Sequence, residues 1–346
     1  MNASSATLTA AAAPQLGLFQ PITTPVVAAW GAGVDSTAML IEMIERGEAP
    51  DLVLFADTGA EKPQTYAFID VFSAWLAGRN VPLAIVRYEA TNFKNYPAYR
   101  TIDENAFSNG TLPSLAFGRH SCSLKWKVAP QDKYLAESWE PSQTAWAAGG
   151  KVVKWIGYDC SPADKRRYAH AQQEGHCDPR FVYRYPLVEL GWTRSDCIAR
   201  IRRAGVPVPD KSACFMCPAS KPAEIDALPV GLLRRIVLME ARAAPRLRNI
   251  EGLWRSTVKG CRGATPRPGS MTTYIRERGL LPADEIADIQ SAAPASLAAF
   301  QAATGSLPIG ERPELSAWLK LFDLRDRAAF DAEGVQRLYG DVPTPA

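Results

Sequence analysis

The residues with the clearest capacity for chemistry stand together in the stretch VVAAWGAGVDSTAML, residues 26–40. A turn of small residues is followed by three polar residues that open an apolar helical pattern: Gly31, Ala32, Gly33, Asp35, Ser36 and Thr37. Such a turn between a strand and a helix lets backbone N–H groups approach an anion, and the positive end of the helix dipole adds to the attraction. The pattern predicts an anion site. The alternative is a tight turn in which Asp35 or Ser36 caps the helix and no ligand binds.

A second polar group follows the next strand-like stretch, in the segment DLVLFADTGAEKPQTYAFID at residues 51–70. Asp57, Thr58 and Gly59 close its apolar run. In a parallel sheet Asp57 would lie at the same edge as the 31–36 loop, where its carboxylate could accept from adenine or ribose or hold a Mg²⁺-bound water. The alternative is an ordinary turn residue at a strand end.

Seven cysteines form the third chemically capable group: Cys122, Cys160, Cys177, Cys197, Cys214, Cys217 and Cys261. Their number is odd, and a chain of 346 residues can build a core without disulfide bonds, which favours a reducing, cytoplasmic setting. Cys214 and Cys217 form a Cys-x-x-Cys motif. Such thiols can bind an iron–sulfur cluster or zinc, act as a dithiol, or be buried without a ligand, and spacing does not separate these uses.

Alternating strand-like and helix-like stretches must position these groups. The pattern predicts strands at 26–30, 51–56, 82–87 and 152–157 and helices at 35–46 and 63–76. This alternation is typical of an α/β fold with a wound parallel sheet, whose right-handed crossovers align the strand ends along one edge. Residues 90–120 lack periodicity and are predicted as a long loop or lid. Beyond about residue 220 the pattern predicts a helical C-terminal addition.

Composition suggests the domain boundaries. Residues 1–22, rich in Ala, Ser and Thr, are predicted as a disordered tail, or alternatively as a helical cap. Residues 23–225 form the expected α/β domain, and residues 226–346 a mostly helical, partly basic region. The sequence has no apolar run of about 18 residues, so no membrane partner is expected.

Positive charge concentrates in the C-terminal region. Residues 233–268 contain nine basic side chains against Glu240 and Glu251, a net charge of +7, in a chain whose net charge is +3. A basic, partly helical surface with Trp254 could contact nucleic-acid phosphates, whereas a solvated helical face explains the same pattern.

The 31–36 loop resembles the S-G-G-x-D-S loop of the N-type ATP pyrophosphatases, the PP-loop superfamily that includes the phosphoadenylylsulfate (PAPS) reductase-like family. Gly31 replaces the first Ser and Ala32 the first Gly, while Gly33, Asp35 and Ser36 match. The lost serine hydroxyl removes one phosphate donor but leaves the backbone approach intact.

Further segments extend this resemblance over about residues 25–225. Asp57-Thr58-Gly59 is similar to the reductase-family strand end, with Gln64 and Thr65 at the place of a Glu-Thr pair. The resemblance implies a HUP (adenine nucleotide alpha hydrolase-like) sheet that binds ATP with Mg²⁺. The residues it implies for nucleotide binding follow strand ends: Trp30, Gly31, Ala32, Gly33, Asp35, Ser36, Thr37, Asp57, Thr58 and Gly157.

The resemblance also implies catalytic residues, namely Asp35, Ser36, Lys125 and Arg167. Lys125 and Lys127 follow Cys122, and Arg166 or Arg167 follows Gly157 by about ten residues. Each cation could bind a sulfate or phosphate oxygen, and arginine suits bidentate contacts with oxyanions. Solvated surface cations are the alternative.

Two cysteine segments resemble the cluster-binding parts of the family. HSCSLKWKVAP at 120–130 and KSACFMCPASKPAEI at 211–225 correspond to regions that hold a [4Fe–4S] cluster in assimilatory adenylylsulfate reductases. The implied metal ligands are Cys122, Cys214 and Cys217, and the fourth is expected to be Cys197. Cys261 is the second choice, Cys160 and Cys177 are the third, and zinc or no metal stays open.

One family feature is missing, because the chain lacks the Glu-Cys-Gly-x-His context that carries the reducing thiol. The first hypothesis is therefore an enzyme that adenylylates an acceptor in sulfur transfer or nucleic-acid modification, with a sulfur donor or reductant protein as partner. The second is an adenylylsulfate or PAPS reductase whose thiol is supplied elsewhere. The third is a nucleotide-binding or iron–sulfur regulator without turnover.

Overall fold

A five-stranded parallel sheet forms the centre of the computed structural model, which describes residues 24–90, 99–119, 121–173, 177–260, 265–304, 307, 308 and 311. The strands are β1 (Val26–Ala29), β2 (Leu52–Asp57), β3 (Leu83–Arg87), β4 (Val152–Ile156) and β5 (Phe181–Arg184). Their order is β3-β2-β1-β4-β5, and every pairing is parallel. The predicted α/β class with a wound parallel sheet is thus confirmed.

The strand order changes direction between β1 and β4, because the chain first builds outward through β2 and β3 and then returns to the other side of β1. Ligands of open α/β sheets bind beyond the carboxyl ends of the strands at such a switch point. The topology therefore puts the 31–36 loop beside the most favourable place for a ligand.

Helices cover both faces of the sheet and continue beyond it. They are α1 (Val34–Glu45), α2 (Pro63–Ala77), α3 (Ile102–Asn109), α4 (Ser121–Ser123), α5 (Ala129–Glu137), α6 (Glu140–Ala147), α7 (Pro162–Ala171), α8 (Pro186–Glu189), α9 (Arg194–Arg203), α10 (Pro222–Asp226), α11 (Val230–Ala243), α12 (Met271–Glu277) and α13 (Ala283–Thr304). A π-helical turn, Leu124–Val128, joins α4 to α5.

Alternate residues of the central strands pack on opposite faces, as the period of two in a strand requires. Ala28 and Phe55 join α1, α2 and α9 in one core cluster, whereas Val27 and Leu54 join α5 in another. All six residues of β2 are buried, which explains why this strand is a continuous apolar run and not an alternation.

A third core cluster lies outside the sheet. Phe107 of α3, Trp126 of the π-helical turn and Phe215 pack with residues of α11, α12 and α13. Residues on both sides of position 225 therefore share one core. The predicted tail, residues 1–22, and residues 312–346 lie outside the described residues.

The 90–120 segment differs from the predicted loop, because α3 lies within it. Thr101 and Glu104 form a capping box at the start of α3, and Gly110 ends the helix in the left-handed conformation. A capped helix needs few apolar positions when its ends are satisfied, and only Ile102, Ala106 and Phe107 bury apolar side chains. Residues 91–98 lie outside the described residues.

None of the helices in the described part of the chain has the length and apolar character that crossing a membrane requires.

Candidate active site

The 31–36 loop connects β1 to α1 and leaves the first turn of α1 open. Ala32 takes a left-handed conformation with φ of 54°, and the extended Gly33 is the N-cap residue. No side chain caps α1, so neither Asp35 nor Ser36 has the capping role that the ligand-free alternative assigned to it. Instead Ser36 Oγ accepts from the Gly31 N–H at 3.2 Å. Uncapped N–H groups at a helix start are the donors that bind anions.

Asp35 has one carboxylate oxygen to spare at this loop. Arg194 donates to Oδ2 at 2.6 Å, whereas the buried Oδ1 has no hydrogen-bond partner among the described residues. Burial raises the pKa of Asp35 against the attraction of Arg194, and nearby Asp159 raises it further. An unpaired carboxylate oxygen beside anion-binding amides fits a hydrated cation such as Mg²⁺.

Because the folded state favours the protonated form of Asp35, this residue should lower stability as pH rises. We expect the melting temperature of Asp35→Asn minus that of the natural chain to increase between about pH 4 and pH 7. Thermal unfolding monitored by circular dichroism measures the difference, and a value that is flat or falls with pH would contradict the burial argument.

Gly157, directly after β4, packs against the loop. A Cβ atom built on Gly157 would lie 2.8 Å from Ser36 Cα and 2.9 Å from Ser36 N. These separations are shorter than a van der Waals contact. The atoms concerned belong to the backbone, so they cannot move aside without moving the first turn of α1. Glycine is therefore required here, and the structure places Gly157 in contact with the first turn of α1.

A cavity of about 620 Å³ opens at the ends of β1, β2 and β4, which we call the switch-point cleft. Gly31, Lys127, Lys154, Tyr158 and Tyr185 are among its lining residues. The rings of Tyr158 and Tyr185 stack with centroids 5.5 Å apart. The volume lies within the range of small-molecule sites, and the cleft combines aromatic walls with lysines.

Trp30 and Thr37 form the support beneath the loop. The Trp30 indole N–H donates to Thr37 Oγ1 at 2.9 Å, and both side chains are buried. Trp30 also packs on Phe55 and Phe72. The side-chain polar atoms of Trp30 and Thr37 bond to each other and are not offered to a nucleotide. The prediction that these side chains bind the nucleotide through their polar atoms is thus corrected.

Asp57 does not have the free carboxylate that the sequence predicts. Arg87 Nη2 lies 2.7 Å from Oδ2, and Oδ1 accepts from the Gly59 N–H and the Tyr66 hydroxyl, each at 2.8 Å. Burial, followed by the charge of Asp57, raises the pKa of Tyr66. Asp57 therefore holds the end of β2 to its neighbours through these bonds. It lines a separate cavity of about 860 Å³ together with Arg87. Its predicted contact with adenine, ribose or a magnesium-bound water is not supported.

The chain that follows β2 pairs with the Cys-x-x-Cys segment, and this pairing brings the segment close to the 31–36 loop. Glu61 and Cys214 form an isolated antiparallel bridge, and the Phe215 N–H donates to the Ala60 carbonyl at 2.9 Å. A Cβ atom on Gly33 would lie 3.0 Å from Ser212 Oγ. The sheet thus brings two sequence motifs about 180 residues apart into contact.

Thr58 belongs to this cysteine region. Its hydroxyl lies 3.3 Å from Cys214 Sγ and 3.2 Å from Glu61 Oε1. The predicted nucleotide contact of Thr58 is replaced by this pairing, since the strand end turns its hydroxyl toward the thiol.

Lys127, predicted as a cation for a sulfate or phosphate oxygen, and Glu61, which is not predicted, complete the region. Lys127 Nζ donates to Glu61 Oε1 at 3.1 Å, while Glu61 Oε2 is buried without a partner among the described residues. Burial lowers the pKa of Lys127, but Glu61, Cys214 and Cys217 outweigh it and raise that pKa. The signal for Glu61 in the sequence is a lone acidic residue just after a strand-end turn.

Cys122, Cys214 and Cys217 lie in one neighbourhood. Cys122 and Cys214 pack at the same core cluster, and Cys122 is among the charges that raise the pKa of Cys217, after burial as the main cause. Burial also raises the pKa of Cys214. Within the described ranges, however, no set of three or more His, Cys, Asp or Glu side chains has a geometry suited to a metal ion.

Cys197, expected as the fourth ligand, lies elsewhere. It is fully buried in the core cluster that joins α9 to α1, and its electrostatic neighbours are Asp35, Asp159, Arg194 and Asp196. The Thr193–Asp196 capping box fixes the start of α9, which turns Cys197 inward onto α1 and away from Cys214. Because Cys197 belongs to a different core cluster from the one at which Cys122 and Cys214 pack, the structure does not support Cys197 as the fourth ligand.

Two of the other candidate ligands, Cys160 and Cys177, have contacts of their own. Cys160 donates its backbone N–H to the Trp192 carbonyl at 2.7 Å, and the exposed Cys177 lies 3.8 Å from Lys151 Nζ. Both are outside the neighbourhood of Cys214. Cys261 lies outside the described residues.

Lys125 does not face the same side as Lys127. Its Nζ lies 4.8 Å from the Tyr88 ring centroid and 5.3 Å from those of Tyr99 and Trp126. Aromatic rings attract a cation at such distances. The predicted catalytic contact of Lys125 with phosphate is therefore corrected: the π-helical turn directs Lys125 toward these rings and Lys127 toward Glu61.

Arg167 lies on α7, the helix whose Ala171 lines the switch-point cleft. It pairs with Asp164 at 2.7 Å, its side chain is 62% exposed, and its charge acts on Tyr158. Arg166, also exposed, is its neighbour on the same helix. Arg167 is thus placed near the cleft with its guanidinium open to solvent on one side.

No protein-family model matches this chain, and a search of curated proteins finds no significant relative. The case for a function therefore comes from the motifs and from the geometry described above.

Proposed function

We propose that this chain is a PAPS reductase-like ATP pyrophosphatase with a HUP-type sheet, which binds ATP with Mg²⁺ and adenylylates an acceptor. One observation carries the proposal. The uncapped start of α1, the left-handed Ala32 and the close-packed Gly157 form a corner suited to an anion, and Gly31 of the same loop lines the switch-point cleft.

The reaction follows from placing the triphosphate on this corner. An acceptor oxygen attacks the α-phosphorus, the bond from that phosphorus to the bridging oxygen breaks, and pyrophosphate leaves with the electron pair. Backbone N–H groups of the loop and the α1 dipole stabilise the charge on the leaving pyrophosphate, so catalysis depends on positioning and fixed electrostatics.

Side chains around the cleft have distinct roles in this proposal. Asp35 Oδ1 orients a hydrated Mg²⁺, which supplies additional positive charge to the phosphates. Arg167 binds an oxyanion from the rim. Trp30 and Thr37 hold the loop in shape, and Asp57 fixes the end of β2.

A [4Fe–4S] cluster on Cys122, Cys214 and Cys217 is the second part of the proposal, with zinc as the alternative. The donor chemistry fits, because thiolates bind iron and Lys127 offers a positive charge beside two of them. With Cys197 removed from the set, Cys261 is the proposed fourth ligand. Such a cluster would anchor or relay sulfur that a donor protein supplies.

Pyrophosphate release tests the activity. Full-length protein with MgATP is incubated with and without single-stranded nucleic acid as acceptor, and pyrophosphate is quantified by an enzyme-coupled assay. We expect release above background that Ser36→Ala or Arg167→Ala reduces and Arg203→Ala does not, because Arg203 lies on α9 away from the cleft. Sulfite production from adenylylsulfate or PAPS with thioredoxin, without pyrophosphate release from ATP, would instead identify a reductase.

A further inference from the structure

A separate cavity of about 580 Å³ lies between α3, a 3₁₀ turn at Ser114–Phe117 and the π-helical turn. Two cations, Arg119 and Lys125, are among its described lining residues, which include no carboxylate. Phe117, 41% exposed, also lines the cavity. A positive cavity with an exposed aromatic ring favours a ligand that is anionic and has a flat face.

Arginines from the basic segment contact α3 and the end of the 3₁₀ turn, two of the elements that enclose this cavity. The guanidinium of Arg255 would lie 2.9 Å from a Cβ atom on Gly118, which puts it against the end of the 3₁₀ turn. Arg246 donates to the Asn109 carbonyl, and Arg242 donates to the Phe107 carbonyl at 3.3 Å. Part of the positive charge predicted for residues 233–268 is therefore directed onto α3 and this turn and is not spread over a solvated helix face.

Two of these cations are available to a ligand. Arg119 and Arg255 are exposed, and neither forms an ion pair with another described residue. Arg255 holds a left-handed backbone with φ of 71°, which is uncommon for a residue with a side chain. Arginine binds phosphate oxygens through two parallel hydrogen bonds.

The cavity is connected to the cysteine region. Cys122 lines it, with its backbone N–H donating to Ser114 Oγ at 2.8 Å, and Cys122 acts electrostatically on Cys217. The Cys-x-x-Cys turn in its turn lies against the 31–36 loop. The cysteines thus stand between the loop and this second cavity.

We propose that this cavity binds a nucleotide of a single-stranded nucleic acid, with the base stacked on Phe117 and backbone phosphates on Arg119 and Arg255. Bases stack on exposed aromatic side chains, and a cationic groove follows the phosphates, in binding of single strands. A duplex presents no free base face to Phe117. The inference rests on the proposed function in one respect, since it assigns the class of the acceptor.

Fluorescence anisotropy with a labelled single-stranded 12-mer, measured without ATP, tests this site on the full chain. We expect Phe117→Ala to weaken binding about fivefold or more. Replacing Arg119 and Arg255 together with Gln should lower the slope of log K against log salt by about 1.4, since each phosphate contact contributes about 0.7. The matched control replaces the exposed Arg202 and Arg203 of α9 with Gln and should leave binding unchanged.

Three results would overturn the inference. They are no binding by the natural chain, affinities of both cavity variants equal to that of the control variant, and equal competition by duplex DNA or heparin. Calorimetry with MgATP on the same proteins separates the two proposals. A protein that binds the 12-mer but not ATP contradicts the proposed function alone, whereas one that binds ATP but not the 12-mer contradicts only the assignment of the acceptor.

Discussion

Replacing Gly157 with Val should weaken the affinity for MgATP by about 100-fold. The Cβ atom that the substitution adds at Gly157 would stand 2.8 Å from Ser36 Cα, so the first turn of α1 must move. That movement shifts the N–H groups that we assign to the phosphates. Equilibrium dialysis with radiolabelled ATP measures the affinity directly.

The control for this variant is Gly78→Ala. A Cβ atom on Gly78, at the end of α2, meets its nearest neighbour at an ordinary distance of 3.6 Å. We expect Gly78→Ala to bind MgATP as the natural chain does. A Gly157→Val protein that remains folded, judged by its thermal transition, and retains full affinity would show that the nucleotide binds elsewhere.

Replacing Cys214 with Ser should remove the metal. Protein purified without oxygen should contain iron and absorb near 400 nm, and the Cys214→Ser variant should lose nearly all of both. The reason is that Cys214 stands at the centre of the site, bridged to Glu61 and in contact with Thr58. Iron and zinc analysis of the same samples distinguishes the two metals.

Cys197→Ala is the matched control for the metal. The side chain of Cys197 is fully buried, and it lies among α9, α1 and Asp35. We expect this variant to keep its iron. Loss of iron from Cys197→Ala with retention in Cys214→Ser would reverse the assignment made here, and a natural chain without iron or zinc would remove the cluster proposal.

Much of the sheet can be predicted from the sequence, because its strands are short apolar runs that end at glycines or polar turns. The predicted strands at 26–30, 51–56, 82–87 and 152–157 each overlap an observed strand. The strand β5 is not predicted, since Phe181–Arg184 has one buried residue and no clear pattern. The position of β4 beside β1 also requires the structure, because local pattern carries no information on strand order.

That Gly157 and the 31–36 loop lie at the same edge of the sheet follows from the parallel topology, and the sequence therefore indicates it. Their direct contact requires β4 to lie beside β1, which the structure shows. The direction of single side chains does not follow in this way. Lys125 and Lys127 are two residues apart, yet one faces aromatic rings and the other a buried glutamate. That difference depends on the π-helical turn, for which the sequence offers no local signal.

The cysteines show the same limit. The spacing of Cys214 and Cys217 and the lysines that follow Cys122 are local signals. The expectation of Cys197 as the fourth ligand has no comparable local signal, because nothing in its surrounding sequence fixes its distance from Cys214. The capping box at Thr193 and the apolar packing on α1 decide otherwise, and the packing depends on contacts distant in sequence.

The most direct test of the account is a crystal structure of the full chain with Mg²⁺ and a non-hydrolysable ATP analogue. We expect the phosphates within hydrogen-bond distance of the backbone N–H groups of residues 31–36, with the adenosine in the switch-point cleft. An analogue bound at another part of the chain, with this corner empty under saturating ligand, would contradict it.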